Sequence, residues 1–271
     1  MFKNKKSLTI FVAGGLGNIL FQANTFQKMK KNAKKNQHIR LCPLILFYPL
    51  FFSKVFKLED HDGLSSAKRL GIKFDKIKLS DWITLFALLI SKSLNKNFCN
   101  CLYLGRKSKP IDEIYKLRAV FCYFHTNYSM EATFINYLKR SIKSSPLYED
   151  NLQNCVVHFR GGDFSVSNED NLKKYYRIAL SGIKKFLVVT NDIERAKFFF
   201  SELFPSSTFK IVKSKDILND FLLLSHSKTL VSSNSTFSWW AAELSDAKVY
   251  QPKAMYDFFW NVESTKPRNM I

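Results

Sequence analysis

The chain has 271 residues, of which 46% are hydrophobic and 15% aromatic. Such a composition excludes a disordered chain, and the length suffices for a core without disulfides or a structural metal. A formal net charge of +20, from 42 Lys and Arg against 22 Asp and Glu, excludes indifference to anions and points to nucleic acid, phosphorylated ligands or an acidic membrane face as partners.

The N-terminus is basic, and the apolar run at residues 8–13 is too short for a signal-peptide core. Residues 8–12 read as a buried strand, followed by a glycine turn at Gly14, Gly15 and Gly17 and a helix from about Asn18 to Lys35. Lys28, Lys30, Lys31, Lys34 and Lys35 would crowd the C-terminal end of that helix, where cations complement the helix dipole and where anionic lipid could also be met. Residues 41–56 and 82–90 are apolar but shorter than the ~20 residues that span a bilayer. Both are expected to be buried, with the alternative that one dips into a membrane surface. The elements between about residue 42 and residue 150 cannot be ordered from the sequence.

The second half alternates strictly. Strands are expected at 155–159, 186–189, 209–212, 228–231 and 248–250, and helices at 171–180, 192–203, 216–227 and 234–244. This pattern implies right-handed βαβ units and a doubly wound parallel sheet. A break at Ser144-Ser145-Pro146 suggests two domains, 1–150 and 151–271. Ligands of such sheets bind beyond the carboxyl ends of the strands, so the residues just past each strand are the candidates for chemistry.

Gly15-Leu16-Gly17-Asn18 follows the first strand. Leu20 stands where a dinucleotide fingerprint needs its third glycine, which argues against a nicotinamide or flavin cofactor. A glycine turn that admits a ligand to backbone N–H groups and a purely structural turn both stay open. His158-Phe159-Arg160-Gly161-Gly162-Asp163 follows the next well-defined strand. Arg160 there suits a diphosphate, since a guanidinium donates two parallel charge-assisted bonds. Asp163 could serve as a base, or pair with Arg160 structurally. Thr190-Asn191-Asp192 ends the 186–189 strand; Asp192 could read a guanine edge or simply cap a helix. Asn234-Ser235-Thr236-Phe237-Ser238-Trp239-Trp240 opens a helix with hydroxyl residues, a ready anion site and equally a ready cap.

Together these four segments resemble the α-1,2-fucosyltransferases of bacteria and animals. Gly15-Leu16-Gly17-Asn18-Ile19-Leu20-Phe21-Gln22 is similar to the family's opening motif, and 158–163 to its His-x-Arg-Arg-Gly-Asp. Thr190-Asn191-Asp192 stands for Ser-Asp-Asp, and 234–240 for Asn-Ser-Ser-Phe-Ser-Trp-Trp. Ile19 replaces a Gln and Gly161 an Arg of the pattern, and the stretch 164–175 is short for the family.

The resemblance implies a GT-B-like α/β fold, with two Rossmann-like halves facing a cleft. It further implies inverting transfer of L-fucose from GDP-fucose to the 2-hydroxyl of a galactose-like acceptor in a surface glycan, without a metal or other cofactor. Arg160 and Asp163 are its implied catalytic residues. Gly15, Gly17, Asn18, Gln22, His158, Asp192, Asn234, Ser235, Thr236 and Phe237 are its implied substrate-binding residues. The acceptor is a galactose-containing oligosaccharide, free or lipid-linked. Expected location is the cytoplasm, at the inner face of an anionic membrane. Altered-donor and non-catalytic sugar-nucleotide-binding relatives are alternatives.

Three rival readings are weaker. Asp60-His61-Asp62 is an Asp-x-Asp triplet of the kind that holds a metal in other transferases. Cys99, Cys101, Cys122 and His125 could be zinc ligands, but their spacing fits no common site. The odd number of cysteines, five, fits a reducing compartment. Nucleic-acid binding is suggested by charge alone, with no interleaved basic–aromatic stripe.

Overall fold

The computed structural model describes residues 6–34, 37–44, 60–94, 96–105, 109–124, 129–145, 155–161, 169–212, 216–253 and 264–271. The chain divides into two compact units between Ile135 and Asn136, and residues 264–271 return to the second unit. The boundary expected near Asn151 lies outside the described residues.

The first unit opens with β1 (Lys6–Val12) and α1 (Leu16–Asn32), then β2 (Gln37–Pro43), α2 (Asp60–Arg69) and α3 (Leu79–Leu94). β3 (Cys101–Gly105), the short α4 (Ile111–Ile114) and β4 (Ala119–Cys122) follow, and α5 (Ala132–Lys143) runs across the division between the units. The strands form a parallel sheet in the order β2-β1-β4-β3. Ile10, Phe11 and Val12 are buried in succession, as expected for a strand covered on both faces.

α1 begins at Leu16, two residues before the expected start, so Gly17 belongs to the helix and not to the turn. The turn itself needs Gly14, whose φ is +100°, a region that costs other residues a Cβ clash. Gly63 of α2 packs on the same turn: a Cβ there would lie 2.9 Å from Gly14 O and 3.0 Å from Leu16 N. Asp60, His61 and Asp62, the Asp-x-Asp triplet, open α2. Among the expected lysine cluster, Lys31 pairs with Glu131 at 3.0 Å and Lys28 meets Ser129, while Lys35 lies outside the described residues.

β2 carries a buried ion pair. Arg40 Nη1 lies 2.7 Å from Asp81 Oδ1 at the start of α3, and Arg40 Nη2 donates to the Lys76 carbonyl at 2.6 Å. This clamp seats one face of α3, with Leu85, Leu88 and Ser91, on the sheet. The apolar run at 82–90 is not wholly buried, contrary to the expectation. Its period matches a helix with apolar residues all round; one side seats on the sheet, and Ile83 and Phe86 on the other side are exposed.

The second unit contains β5 (Cys155–Phe159), α6 (Glu169–Ala179), β6 (Lys185–Thr190), α7 (Ile193–Leu203), β7 (Thr208–Val212), α8 (Ile217–Ser225), β8 (Thr229–Val231), α9 (Thr236–Leu244), β9 (Lys248–Gln251) and β10 (Asn269–Met270). All strands pair in parallel, in the order β10-β9-β8-β5-β6-β7. One face of β5 and β6 packs on α6 and α7 through an aromatic cluster of Phe159, Tyr176, Phe186, Phe199 and Phe200. Edge-on ring pairs such as Phe199–Phe200, 5.2 Å apart at 79°, add to burial about 0.5–1.5 kcal/mol each.

The expected last strand at 248–250 has a neighbour that the sequence reading did not include. β10 pairs with β9, and the segment that carries it is latched to α9. Glu243 is fully buried and accepts from Arg268 Nη2 at 2.8 Å, Ser264 Oγ at 2.7 Å and Thr265 N at 2.9 Å. Arg268 also stacks over Trp239, 4.6 Å from its ring centre. Both Trp239 and Trp240 are buried.

Candidate functional site

Each sheet has a point at which the strand order reverses, and such a point opens a crevice beyond the strand ends. In the second unit the chain runs from β5 outward through β6 to β7, then crosses back to β8 on the other side of β5. The reversal lies between β5 and β8. The segments leaving these two strands carry His158-Phe159-Arg160-Gly161 and Ser233-Asn234-Ser235-Thr236.

Side chains from the two segments meet there. His158 Nδ1 lies 2.6 Å from Ser233 Oγ, and Arg160 Nη1 donates to Ser235 Oγ at 3.2 Å. Ser235 is the N-cap of α9, its hydroxyl accepting from Phe237 N at 3.2 Å. A guanidinium thus stands at the helix end where N–H groups and the dipole present positive charge. Thr236 and Phe237 form the first turn. The Phe237 ring is 5.5 Å from His158 and 5.4 Å from Phe221, which fixes the turn from below. Asn234 is half-buried beside it.

His158 is a neutral post rather than a proton carrier. Burial, and to a lesser degree the Arg160 charge, pushes its pKa down to about 3. A residue of that pKa stays uncharged at neutral pH and exchanges protons poorly there. Its carbonyl accepts from the Tyr176 hydroxyl at 2.9 Å, which ties the end of β5 to α6.

The loop after β6 closes the other flank. Gly161 N donates to Asn191 Oδ1 at 3.0 Å. Asp192 caps α7, its Oδ1 accepting from Arg195 N at 3.1 Å. It also presses against Gly161: a Cβ on that glycine would lie 2.4 Å from Asp192 Cβ and 2.8 Å from Oδ2. The glycine that departs from the Arg of the family pattern is therefore the space that Asp192 occupies. Capping leaves this carboxylate with further acceptor capacity, since its oxygens offer about four lone-pair sites. Gly162 and Asp163 lie outside the described residues.

The reversal in the first unit lies between β1 and β4, and the glycine turn stands there. Gly15 is the exposed N-cap position of α1, with no side-chain cap. Gly17 is buried in the helix, and Asn18 packs under Gly14. Gln22 is fully buried, its Oε1 accepting from Ala13 N at 3.2 Å and its Nε2 donating to the Cys122 carbonyl at 3.1 Å. It joins the ends of β1 and β4 and so sets the shape of the turn. The structure brings together His158, Arg160, Asp192, Ser235, Thr236 and Phe237 in the second unit; Gly15, Gly17, Asn18 and Gln22 form a separate group in the first.

Ser233, Asn191 and Gly161 were missed as partners in the sequence reading. The hydroxyl run 232–236 was the signal for the first, and the paired glycines after Arg160 for the last. The zinc alternative gains no support from thiol chemistry. Cys122 is buried and its pKa is pushed up to about 12, burial raises that of Cys101 as well, and His125 lies outside the described residues. Among the described residues no group of His, Cys, Asp and Glu could hold a metal ion, although the side chains of Asp60 and His61 are not described.

Two parallel α/β sheets in succession fit a GT-B-like α/β fold, and the second unit carries a candidate anion site at its strand reversal. The chain is similar to an α-1,2-colitosyltransferase of Escherichia coli, 34% identical over 102 residues, in keeping with its resemblance to α-1,2-fucosyltransferases. The match covers 32% of this chain and spans 35% of the length of that relative. No family model matches the chain. Similar solved structures include the E. coli heptosyltransferase WaaC with ADP, 10% identical, with a TM-score of 0.47 over 91% of this chain and 87% of that one. A family 9 glycosyltransferase of Veillonella parvula is 9% identical, with a TM-score of 0.48 over 100% and 87% of the two chains. The fucosyltransferase NodZ from Bradyrhizobium is 14% identical, with a TM-score of 0.46 over 90% and 94%.

Proposed function

We propose that the protein is an inverting glycosyltransferase that moves L-fucose from GDP-fucose to the 2-hydroxyl of a galactose-like acceptor. The observation that carries this reading is the meeting of Arg160 with the N-terminus of α9 through Ser235. Both present positive charge to one place at the strand reversal, where a diphosphate would lie. As the bond from the sugar C1 to the diphosphate oxygen breaks, charge builds on GDP. Arg160 and the positive end of α9 at Thr236 would stabilise it, the role a divalent ion plays in other transferases. The acceptor oxygen attacks C1 from the opposite face and its proton passes to a base, for which Asp163 is our candidate.

Asp192 is assigned to the guanine edge, its capping bond to Arg195 holding the carboxylate in place for a second pair of donors. His158 and Asn234 line the diphosphate turn. The acceptor is assigned to the glycine turn of the first unit, with Gly15 and Asn18 at its surface, Gly17 allowing close helix packing and Gln22 holding the turn from within. Galactosides, free or lipid-linked, are the acceptor class.

The name of the E. coli relative supports a second donor for the same site. Colitose is L-fucose without its 3-hydroxyl, so GDP-colitose would present the same diphosphate and base. Calorimetry with GDP, UDP and ADP, with and without a chelator, tests the nucleotide assignment; GDP should bind best and the chelator should not matter. Incubation with GDP-fucose and GDP-colitose against a galactoside panel, followed by linkage analysis, then separates the donors. Tighter binding of UDP than of GDP would overturn the proposal, as would chelator-sensitive transfer.

A further inference from the structure

We propose that α3 is a docking helix for an anionic lipid surface, a role independent of the nucleotide site. The helix is apolar on two opposite sides. One side, with Leu85, Leu88 and the clamped Asp81, seals the sheet. The other carries Leu79, Ile83, Phe86 and Leu94, which are 86%, 74%, 63% and 56% exposed, with Trp82 at 41%. Spacings of three, four and eight residues put them on a single stripe. A row of large apolar side chains on one exposed face is costly to keep in water and marks a binding surface.

Length and charge select the occupant. Sixteen residues make a helix of about 24 Å, short of a hydrocarbon core of about 30 Å. No described helix is long and apolar enough to cross a membrane, so α3 fits a helix lying in the interface plane. Lys73, Lys76 and Lys78 are exposed just before it, and Lys96 just after; Lys92 sits in its last turn. The nearby acids are turned inward: Asp81 pairs with Arg40, and Asp75 accepts from Leu41 N at 2.9 Å. Cations therefore flank the apolar stripe at both ends without exposed carboxylates between them, and the whole chain carries +20. Anionic headgroups complement that arrangement. A second copy does not, because stacking the stripe on itself in either direction sets lysine against lysine.

The test is flotation of the full chain with phosphatidylglycerol and with phosphatidylcholine vesicles, at low and high salt. The wild-type protein should float with the anionic vesicles and weaken as salt rises. Ile83→Ser with Phe86→Ser should lower partition at least about 10-fold, since apolar area leaves the bilayer. Lys76→Glu with Lys78→Glu, both side chains exposed, should lower it about 10-fold without touching the core. Thermal unfolding checks that both variants fold, and the lysine variant decides the matter if the apolar one does not. Equal partition of wild type and the lysine variant, or equal partition into neutral and anionic vesicles, would overturn the proposal. So would a wild-type dimer in sedimentation that ignores vesicles and is split by the apolar variant, which would assign the stripe to self-association.

Discussion

Replacing Gly161 with Ala places one methyl group where Asp192 already stands. The three atoms nearest to the new Cβ all belong to Asp192, at 2.4, 2.8 and 3.0 Å, and a separation of 2.4 Å cannot be absorbed without movement. Asp192 must swing away, and it takes its capping bond to Arg195 N with it. A lost cap costs about 1 kcal/mol. The bond from Gly161 N to Asn191 Oδ1 is stretched by the same shift, at about 1 kcal/mol, and residual crowding adds about 1 kcal/mol. Gly161→Ala should therefore lose about 3 kcal/mol, or a Tm about 6–12 °C lower. It should also weaken GDP more than ADP if Asp192 reads the base. The assay is thermal unfolding of the single variants and of Gly161→Ala with Asp192→Gly, together with nucleotide calorimetry. Asp192→Gly alone should cost only a few tenths of a kcal/mol, since Gly is a fair cap, and it removes the Cβ in the way. In that background the alanine should cost under about 1 kcal/mol, a coupling of about 2 kcal/mol. A Gly161→Ala protein with unchanged Tm, or a cost that is the same in both backgrounds, would refute the steric argument.

Arg160→Ala should slow sugar transfer about 100- to 1000-fold, the loss typical of one anion-stabilising donor, and Arg160→Lys should recover little because an ammonium lacks the planar fork; steady-state kinetics on a folded variant checks both. Arg268→Met should destabilise the second unit by about 3–5 kcal/mol, because Glu243 is left buried without its cation; a Tm within two or three degrees of wild type would show that the Ser264 and Thr265 bonds suffice. Acid should weaken the fold through two histidines, since burial pushes His158 down to about 3 and His226 to about 4. Below about pH 6.5 the unfolded chain binds protons that the folded chain refuses, so stability falls with pH, by about 1.4 kcal/mol per unit for each group, down to the folded values. His226→Gln should flatten that slope in urea titrations between pH 7 and pH 5.

Much of the second unit is legible in the sequence because its signals are local. Alternating apolar runs and helical periods mark β5 through β9, and the residues before α7, α8 and α9 are Asp192, Asp216 and Ser235, all of which cap through their side chains. A cap is recognised within four residues, so no distant partner is needed to read it. The position of Arg160 beyond the end of β5 is local in the same sense. The middle of the first unit offers fewer such cues. Its helix α3 is apolar on both sides, so its composition reads as burial even though one face is open.

The tertiary structure decided what depends on strand order. Arg160 and Ser235 are 75 residues apart, and they meet because the chain crosses back over β5 to place β8 beside it. No period or cap encodes that crossing; it depends on β8 pairing with the edge of β5 that β6 leaves open. The same holds for Gln22, whose side chain reads as a surface amide until β4 arrives beside β1 and the Cys122 carbonyl needs a donor. It holds for Gly161, whose bare Cα matters only because the β6 loop brings Asp192 against it. Local sequence determined the elements and their caps through backbone propensity and hydrophobic period. Which of those caps share a site was determined by long-range sheet pairing, since only that pairing brings the ends of β5, β6 and β8 to one edge.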